Sequence, residues 1–318
     1  MRSVGARRFA VINERIGANL TAIGARITRY RERPAINPSA LRRSEIAVLT
    51  VFSLLVVLAV GLAFDRLSVE RAREVPAIGR WFFGLLTELG LSAWELYPAG
   101  ILVLLLLFGR WSMVPRRVAA FWAEIGAFAA YIFGAIAGSG IALNIAKQFI
   151  GRGRPGTFDE YGALVLRPFR FSYEFQSFPS GHSATAGALI AIGFLVVPRL
   201  RIWLMALALG IAASRVVVGA HYPSDIVGGL LFGYVFSLWL AGRFAAAGWA
   251  FARGPEGLIR ARAAAITYVF DSPARIIVVI AGLIDALIGR RVWIPALLSI
   301  GDGSHGVPRI QRDRADDI

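Results

Sequence analysis

The chain of 318 residues contains no cysteine, only one lysine and only three histidines. Without cysteine it can form neither a disulfide framework nor a thiolate–zinc site. Charged residues are also scarce, at 17%, whereas 57% of the residues are hydrophobic. Soluble domains are on average about a quarter charged. The composition therefore excludes a disordered chain and argues against an ordinary soluble domain.

The few charges that are present are strongly unbalanced towards the basic side. Lysine and arginine number 35 against 20 acidic residues, which gives a formal net charge of +15. This excess fits either a nucleic-acid-binding protein or a membrane protein with basic cytoplasmic faces. Most of the arginines lie where they would set membrane topology, not in a patch interleaved with aromatic residues. We therefore expect membrane lipids as partners, no nucleic acid and no particular protein partner.

Long apolar segments predict six transmembrane helices. The first runs from Ile46 to Phe64, and its length matches a hydrocarbon core of about 30 Å at about 1.5 Å per residue. The other five segments are roughly 91–108, 118–143, 183–198, 202–220 and 225–242. The fourth is short and contains glycines, so its borders are poorly defined. The expected fold class is an all-α, polytopic membrane helix bundle.

The arginines outside these segments predict the orientation. Ten precede the first span and ten follow residue 242, and further arginines lie in the two short loops expected on the same side. By the positive-inside rule, both termini are then cytoplasmic, as in a protein of a bacterial inner membrane. The outer loop 147–182 departs from the rule because it carries five basic residues, so these charges need another explanation.

We divide the chain into three regions. Residues 1–45 are a basic cytoplasmic extension whose apolar residues recur at helical spacing. These residues are Phe9, Ile12, Ile16, Leu20, Ile23 and Ile27. A helix on the anionic leaflet, a self-associating helix and a solvated extension are alternatives here. Residues 46–242 form the six-span domain, and 243–318 a basic cytoplasmic tail in which Ser272-Pro273 predicts the start of an interfacial helix.

Three short motifs stand out against this background. In chain order they are Lys147-x6-Arg154-Pro155, Pro179-Ser180-Gly181-His182 and Ser214-Arg215-x5-His221-x3-Asp225. They use the only lysine and two of the three histidines, and the predicted topology places all three on the outer membrane face. Each motif alone can be explained without catalysis, for example as a turn or as a headgroup anchor. The ordered set is far more specific.

The chemistry of these residues fits a phosphoryl group. Charge spreads over the equatorial oxygens during transfer, so fixed cations are needed around it. Lys147, Arg154 and Arg215 supply three. Ser180 and Gly181 stand at the predicted start of a helix, where free backbone N–H groups and the helix dipole favour an anion. The result is a phosphate cradle that needs neither a metal nor a cofactor.

Two histidines are available for two catalytic roles. Asp225 should lie in the first turn of the sixth span, within reach of the Nδ1 proton of His221, which leaves Nε2 free to attack phosphorus. His182 can then protonate the leaving oxygen and later activate water.

The ordered motifs resemble the signature of the type 2 phosphatidic acid phosphatase superfamily, which includes the membrane lipid phosphate phosphatases and is related to vanadium haloperoxidases. The resemblance covers roughly residues 46–242 and no signature position departs from it. It implies a phosphohistidine on His221, assisted by Asp225. It also implies a lipid phosphate substrate, such as phosphatidic acid, phosphatidylglycerophosphate, undecaprenyl diphosphate or lipid A. A vanadate-dependent haloperoxidase and a non-enzymatic transporter are the alternative functions.

Overall fold

The structure is a computed structural model that describes residues 10–23, 43–254 and 257–290. Helices make up most of this part of the chain. They are α1 (10–23), α2 (Arg43–Val60), α3 (Arg66–Glu74), α4 (Ala77–Glu88), α5 (Ala93–Phe108), α6 (Arg116–Ile150), α7 (Phe158–Tyr161), α8 (Gly181–Leu195), α9 (Arg201–Val217), α10 (Pro223–Ala246), α11 (Ala264–Phe270) and α12 (Pro273–Ile288). A π-helical turn, Gly61–Asp65, joins α2 to α3, and the strands β1 (Phe251–Arg253) and β2 (Ile259–Ala261) form an antiparallel pair.

Five helical segments are long and apolar enough to cross a membrane within the described residues. They are Ala47–Glu74, Ala77–Phe108, Arg116–Ile150, Pro198–Val217 and Pro223–Ala246. The helical membrane fold is thus supported, but the predicted count of six is not. The predicted fourth span corresponds to α8, whose 15 residues fall short of the roughly 20 that a helix needs to cross the hydrocarbon core.

The chain divides into two compact units, and the larger comprises Thr21–Leu104 and Ile125–Arg262. Its core is built where α8 packs against α9 and α10, and α4 against α9. Small and branched apolar residues fill this core; they are Ala186, Leu189, Ala208 and Ile211, with Leu86 and Leu230 packed against them. All the motif residues of the sequence analysis lie in this unit.

Glycines allow α8 and α10 to approach closely. A Cβ atom on Gly233 would collide with the carbonyl oxygen of Ala184, and one on Gly229 with that of Ser180. Small residues at such positions let helix backbones pack in direct contact. The N-terminal end of α8 is thereby held against α10, where the Ser180 amide donates to the Asp225 carbonyl at 3.0 Å.

The smaller unit comprises Met1–Leu20, Leu105–Glu124 and Ala263–Ile318. Side chains of α6 hold its C-terminal helices: the Glu124 carboxylate accepts from the backbone N–H groups of Ala265 and Ile266, both at 3.0 Å. Such capping satisfies the free amides of a helix N-terminus. The predicted helix start at Ser272-Pro273 is confirmed by α12. Of the predicted N-terminal amphipathic helix, residues 10–23 are helical, whereas Phe9 and Ile27 lie outside the described residues.

Candidate active site

The motif residues lie at the ends of four helices and in the loop between α6 and α8. Lys147 is in the last turn of α6, and Arg215 in the last turn of α9. Ser180 is the N-cap residue of α8, with Gly181 and His182 in its first turn. Because consecutive helices run in opposite directions here, C-terminal and N-terminal ends meet. Arg215, His221, Lys147 and Arg154 all lie close enough to His182 to influence the charge of its imidazole.

His221 and Asp225 form a buried pair at the start of α10. Nδ1 of His221 lies 3.4 Å from Oδ2 of Asp225, and the two side chains are 2% and 0% exposed. The same oxygen accepts from the Ser177 hydroxyl at 2.5 Å and from the Tyr222 amide at 2.9 Å. Helix α10 begins at Pro223, so Asp225 lies in its first turn as predicted. This arrangement leaves Nε2 as the ring nitrogen that does not face the carboxylate.

The N-terminus of α8 can offer an anion the amides of Gly181 and His182 but not the amide of Ser180. The Ser180 side chain accepts from the Ser183 amide at 3.4 Å, and the Ser180 amide is already bonded to the Asp225 carbonyl. The amides of Gly181 and His182 remain in the first turn, where a helix provides no internal acceptor. A Cβ atom on Gly181 would lie 4.0 Å from the Lys147 ammonium, which places this lysine beside the helix end.

Arg154 is held by backbone carbonyls of the loop between α6 and α8 and of the α9–α10 turn. It donates to the carbonyls of Tyr173 at 3.0 Å, Ala220 at 3.2 Å and Gln176 at 3.3 Å. Its guanidinium carbon also lies 3.8 Å from the centre of the Tyr173 ring, a cation–π contact. No carboxylate pairs with Arg154 within the described residues, so its positive charge is left for another anion.

Arg215 is oriented from α4. Its Nη1 donates to the Thr87 hydroxyl at 2.7 Å, whereas its Nε is buried without a hydrogen-bond partner. A buried donor without a partner is costly. The backbone of the α4–α5 corner also approaches His182, because a Cβ atom on Gly90 would lie 2.8 Å from its Cδ2. Thr87 therefore orients Arg215, one of the three cations (Lys147, Arg154 and Arg215) that form the cation cluster.

Burial disfavours the charged forms of the basic groups outside the helices, and for one of them nearby carboxylates reverse the net effect. It lowers the pKa of His221 to about 4, despite the opposing effect of Asp225. It also lowers the pKa of Arg154. For Arg152 burial acts in the same direction, but the carboxylates of Asp225 and Asp65 outweigh it and raise the pKa. His221 is therefore neutral near neutral pH, as a nitrogen nucleophile must be.

Several polar residues of this region were not predicted from the sequence. Asp65 and Ser224 form a buried network with Arg152 that reaches Asp225, and Ser177 contacts both Asp225 and His221. A lone carboxylate directly after a 19-residue apolar run is unusual enough to have marked Asp65. For Ser177, Ser224 and Thr87 the sequence offers no comparable signal.

The described part of the chain contains no group of three or more His, Cys, Asp or Glu side chains placed to hold a metal ion. The charged side chains that surround His182 and His221 are instead mostly cations. Such a set attracts anionic oxygens.

A family model and known proteins match this chain. A family model described as the PAP2 superfamily matches residues 128–249. The lipid A 1-phosphatase of Rhizobium johnstonii is 40% identical over 189 residues, which cover 58% of this chain and 76% of that protein. The lipid A 1-phosphatase of Rhizobium etli is also 40% identical over 189 residues, with 58% and 80% covered.

A solved structure also matches, at 23% identity. It is a transmembrane PAP2-type phosphatidylglycerolphosphate phosphatase from Bacillus subtilis, with 60% of this chain and 94% of that chain covered and a TM-score of 0.41.

The family model, the two 40%-identical relatives and the apolar helices define an integral membrane protein with the signature of a phosphatase family. The chain belongs to the PAP2 superfamily, which confirms the resemblance inferred from the three motifs.

Proposed function

We propose that this protein removes a phosphate group from a lipid phosphate, with lipid A carrying a 1-phosphate as the first candidate substrate. The observation that carries the proposal is the 40% identity to two lipid A 1-phosphatases over 189 residues. The cluster of cations around two histidines supports the reaction type, and the long apolar helices support a substrate that resides in the membrane.

In the proposed complex the phosphoryl oxygens lie among Lys147, Arg154 and Arg215, against the first turn of α8. The unpartnered Nε of Arg215 and the amides of Gly181 and His182 are donors suited to them. Ser180 contributes by capping α8 and by holding its end to α10. Preorganised donors of this kind stabilise the charge of the transition state without reorganisation during the reaction.

Two chemical steps then follow. Nε2 of His221 attacks phosphorus, the P–N bond forms and the P–O bond to the lipid breaks, while His182 gives a proton to the leaving oxygen. Water activated by His182 next attacks the phosphohistidine, the P–N bond breaks and inorganic phosphate leaves. Asp225 orients His221 and stabilises the positive charge that develops on its ring.

Purified protein in detergent micelles should release phosphate from one member of a panel containing lipid A, phosphatidylglycerophosphate, phosphatidic acid and undecaprenyl diphosphate. We expect the highest kcat/KM with lipid A. The mass of the product should show the loss of one phosphate group, the one at the 1 position. Because the proposed chemistry uses no metal, excess chelator should leave the rate unchanged. Release from none of the four lipids, or complete loss of activity in chelator, would contradict the proposal.

The proposed orientation places the active site on the periplasmic face of a bacterial inner membrane, with both termini in the cytoplasm. The absence of native cysteine allows a direct test with single-cysteine variants at two exposed loop positions, Leu164 and Leu200. A membrane-impermeant maleimide added to spheroplasts should label Leu164→Cys and spare Leu200→Cys. The reverse labelling pattern would show that the topology is opposite to the proposed one.

The lowered pKa of His221 predicts activity at acidic pH. The neutral nucleophile persists well below pH 6.5, so the acidic limb of kcat/KM should lie closer to pH 4 than to the value of an ordinary histidine. Because the folded pKa is below the unfolded one, the stability linked to this residue is complete above about pH 6.5 and is lost as the pH falls towards 4. Rates and melting temperatures from pH 4 to 8 would check both statements, with the titration of the substrate phosphate measured separately.

A further inference from the structure

The end of the first apolar segment contributes a buried carboxylate to this region. Asp65 closes the π-helical turn that follows α2, and its side chain is completely buried. It accepts from Nη2 of Arg152 at 2.6 Å, from the Ser224 hydroxyl at 2.6 Å and from the Ser224 amide at 3.0 Å. π-helical turns are rare and frequently occur at functional sites. Here the turn carries Asp65 to the start of α10, beside Asp225.

Arg152 links the two carboxylates. One Nη1 hydrogen bond goes to Oδ1 of Asp225 and another to the Ser224 hydroxyl, both at 2.6 Å. Its Nη2 binds Asp65 and the Ala163 carbonyl, and its Nε binds the same carbonyl at 3.2 Å. These five hydrogen bonds use all five N–H groups of the guanidinium. Its carbon atom also lies 4.6 Å from the centre of the Tyr222 ring.

Arg152 therefore differs from the two arginines of the cation cluster. Arg154 has no carboxylate partner within the described residues, and Arg215 keeps a buried Nε without a partner. Arg152 has no N–H group left for a phosphate oxygen, and its side chain is only 8% exposed. Its position two residues before Arg154 in the first motif does not make it a phosphate ligand.

We propose that Asp65 and Arg152 are positioning residues for the reaction: they fix the Asp225 carboxylate, and through it the His221 ring, without touching the substrate. This inference rests on the proposed role of His221 as the nucleophile. Asp225 uses Oδ1 for Arg152 and Oδ2 for Ser177, Tyr222 and His221. With Oδ1 held, the other oxygen has one orientation in which to meet Nδ1.

The network also sets the charge next to the nucleophile. Asp65, Arg152 and Asp225 together carry a net charge of −1 when all are ionised. His221 also experiences the positive charges of Lys147 and Arg154, and it lies near His182. Removing the Arg152 charge leaves two adjacent buried carboxylates, which favour the protonated imidazole. Removing the Asp65 charge has the opposite effect.

Four variants test these two roles in the purified full-length protein. Asp65→Ala should lower kcat by roughly 10- to 100-fold with little change in KM, because a small misplacement of reacting groups is that costly. Asp65→Asn can keep the two hydrogen bonds that a single oxygen accepts from Arg152 and the Ser224 hydroxyl, and should restore part of kcat. Arg152→Lys keeps the charge but cannot bridge both carboxylates, so it should restore only part of the activity that Arg152→Gln loses.

The pH profile separates positioning and charge from simple loss of structure. Arg152→Gln should move the acidic limb of kcat/KM upwards by about one pH unit, and Asp65→Asn should move it downwards by less. Arg71→Gln and Glu74→Gln are matched controls. They disrupt an arginine–carboxylate pair of 2.9 Å whose side chains are 72% and 64% exposed, and they should leave kcat and the limb unchanged.

The results that would contradict this inference differ from those that would contradict the proposed function. If His221→Ala is inactive while Asp65→Ala and Arg152→Gln keep the kcat and acidic limb of the unmodified protein, this inference alone is wrong. If Asp65→Asn and Arg152→Gln both lose activity with limbs that do not move, the network is structural and the inference is again overturned. If His221→Ala retains turnover, the proposed nucleophile and the positioning roles both fail.

Discussion

Replacing His221 by alanine should abolish phosphate release and formation of a phosphoenzyme. The His221 side chain is 2% exposed, and its Nδ1 lies beside both the Asp225 carboxylate and the Ser177 hydroxyl, so no other side chain can take its place without rearrangement. Loss of a covalent nucleophile costs on the order of 10⁴-fold or more in kcat. The measurement is a rapid acid-free quench with ³²P-labelled lipid, followed by detection of an acid-labile, base-stable label on the protein.

His305→Ala is the natural control, because this third histidine lies in the C-terminal tail, outside the described residues and the three motifs. It should retain full activity and labelling. An unchanged melting temperature for His221→Ala would show that the variant is folded. Substantial turnover by folded His221→Ala would refute the assignment, and so would a label that persists on it.

The sequence could predict the parts of the site that depend on local rules. The helix start at Ser180 and Gly181 and the first turn of α10 could be predicted because helix-start signals such as serine, and proline at the first helical position, act over only three or four residues. Likewise, the motif residues use residue types that are rare in this chain, namely its sole lysine and two of three histidines. Local chemistry and rarity therefore singled out the eight motif residues, whose catalytic and binding roles stay predictions.

The supporting residues could not be predicted in this way because their partners are distant in sequence. Arg152 and Asp65 are separated by 87 positions, and Ser224 and Asp65 by 159. Thr87 meets Arg215 across 128 positions. These contacts exist only because α2, α4, α8, α9 and α10 pack together, and nothing in the local pattern specifies which helices are neighbours. Arg152 was interpreted only as a basic residue of the outer loop for the same reason.

The number of spans was mispredicted at the shortest of the six apolar segments, 183–198. Ser180 caps α8 and Leu195 ends it, which leaves a helix of 15 residues. Many of its residues are small and buried, with Ala184, Ala186, Ala188 and Ala191 all at 0% exposure. Its hydrophobicity therefore reflects burial against α9 and α10 as much as contact with lipid. Hydropathy alone cannot separate these two causes.

Replacing His182 by alanine should separate the two chemical steps. With a lipid phosphate, whose leaving alkoxide needs a proton, kcat should fall by roughly 10²- to 10⁴-fold, the usual contribution of a general acid. With p-nitrophenyl phosphate the leaving group needs no proton, so His221 should still be phosphorylated. Hydrolysis of the phosphohistidine would remain slow, because the same imidazole is proposed to activate water. We expect a burst of one nitrophenol per enzyme molecule and an accumulation of phosphorylated His221.

The geometry around His182 makes this burst informative. Its ring packs against the α4–α5 corner at Gly90 and lies among the positive charges of Arg215, Lys147 and Arg154, so it is next to the site proposed for the phosphoryl group. Since one variant is assayed with two substrates, misfolding would eliminate phosphorylation of His221 by both, whereas loss of the proton donor slows it only with the lipid phosphate. Equal losses with both substrates and no accumulated label, in a variant with an unchanged melting temperature, would assign His182 to phosphate binding instead of proton transfer.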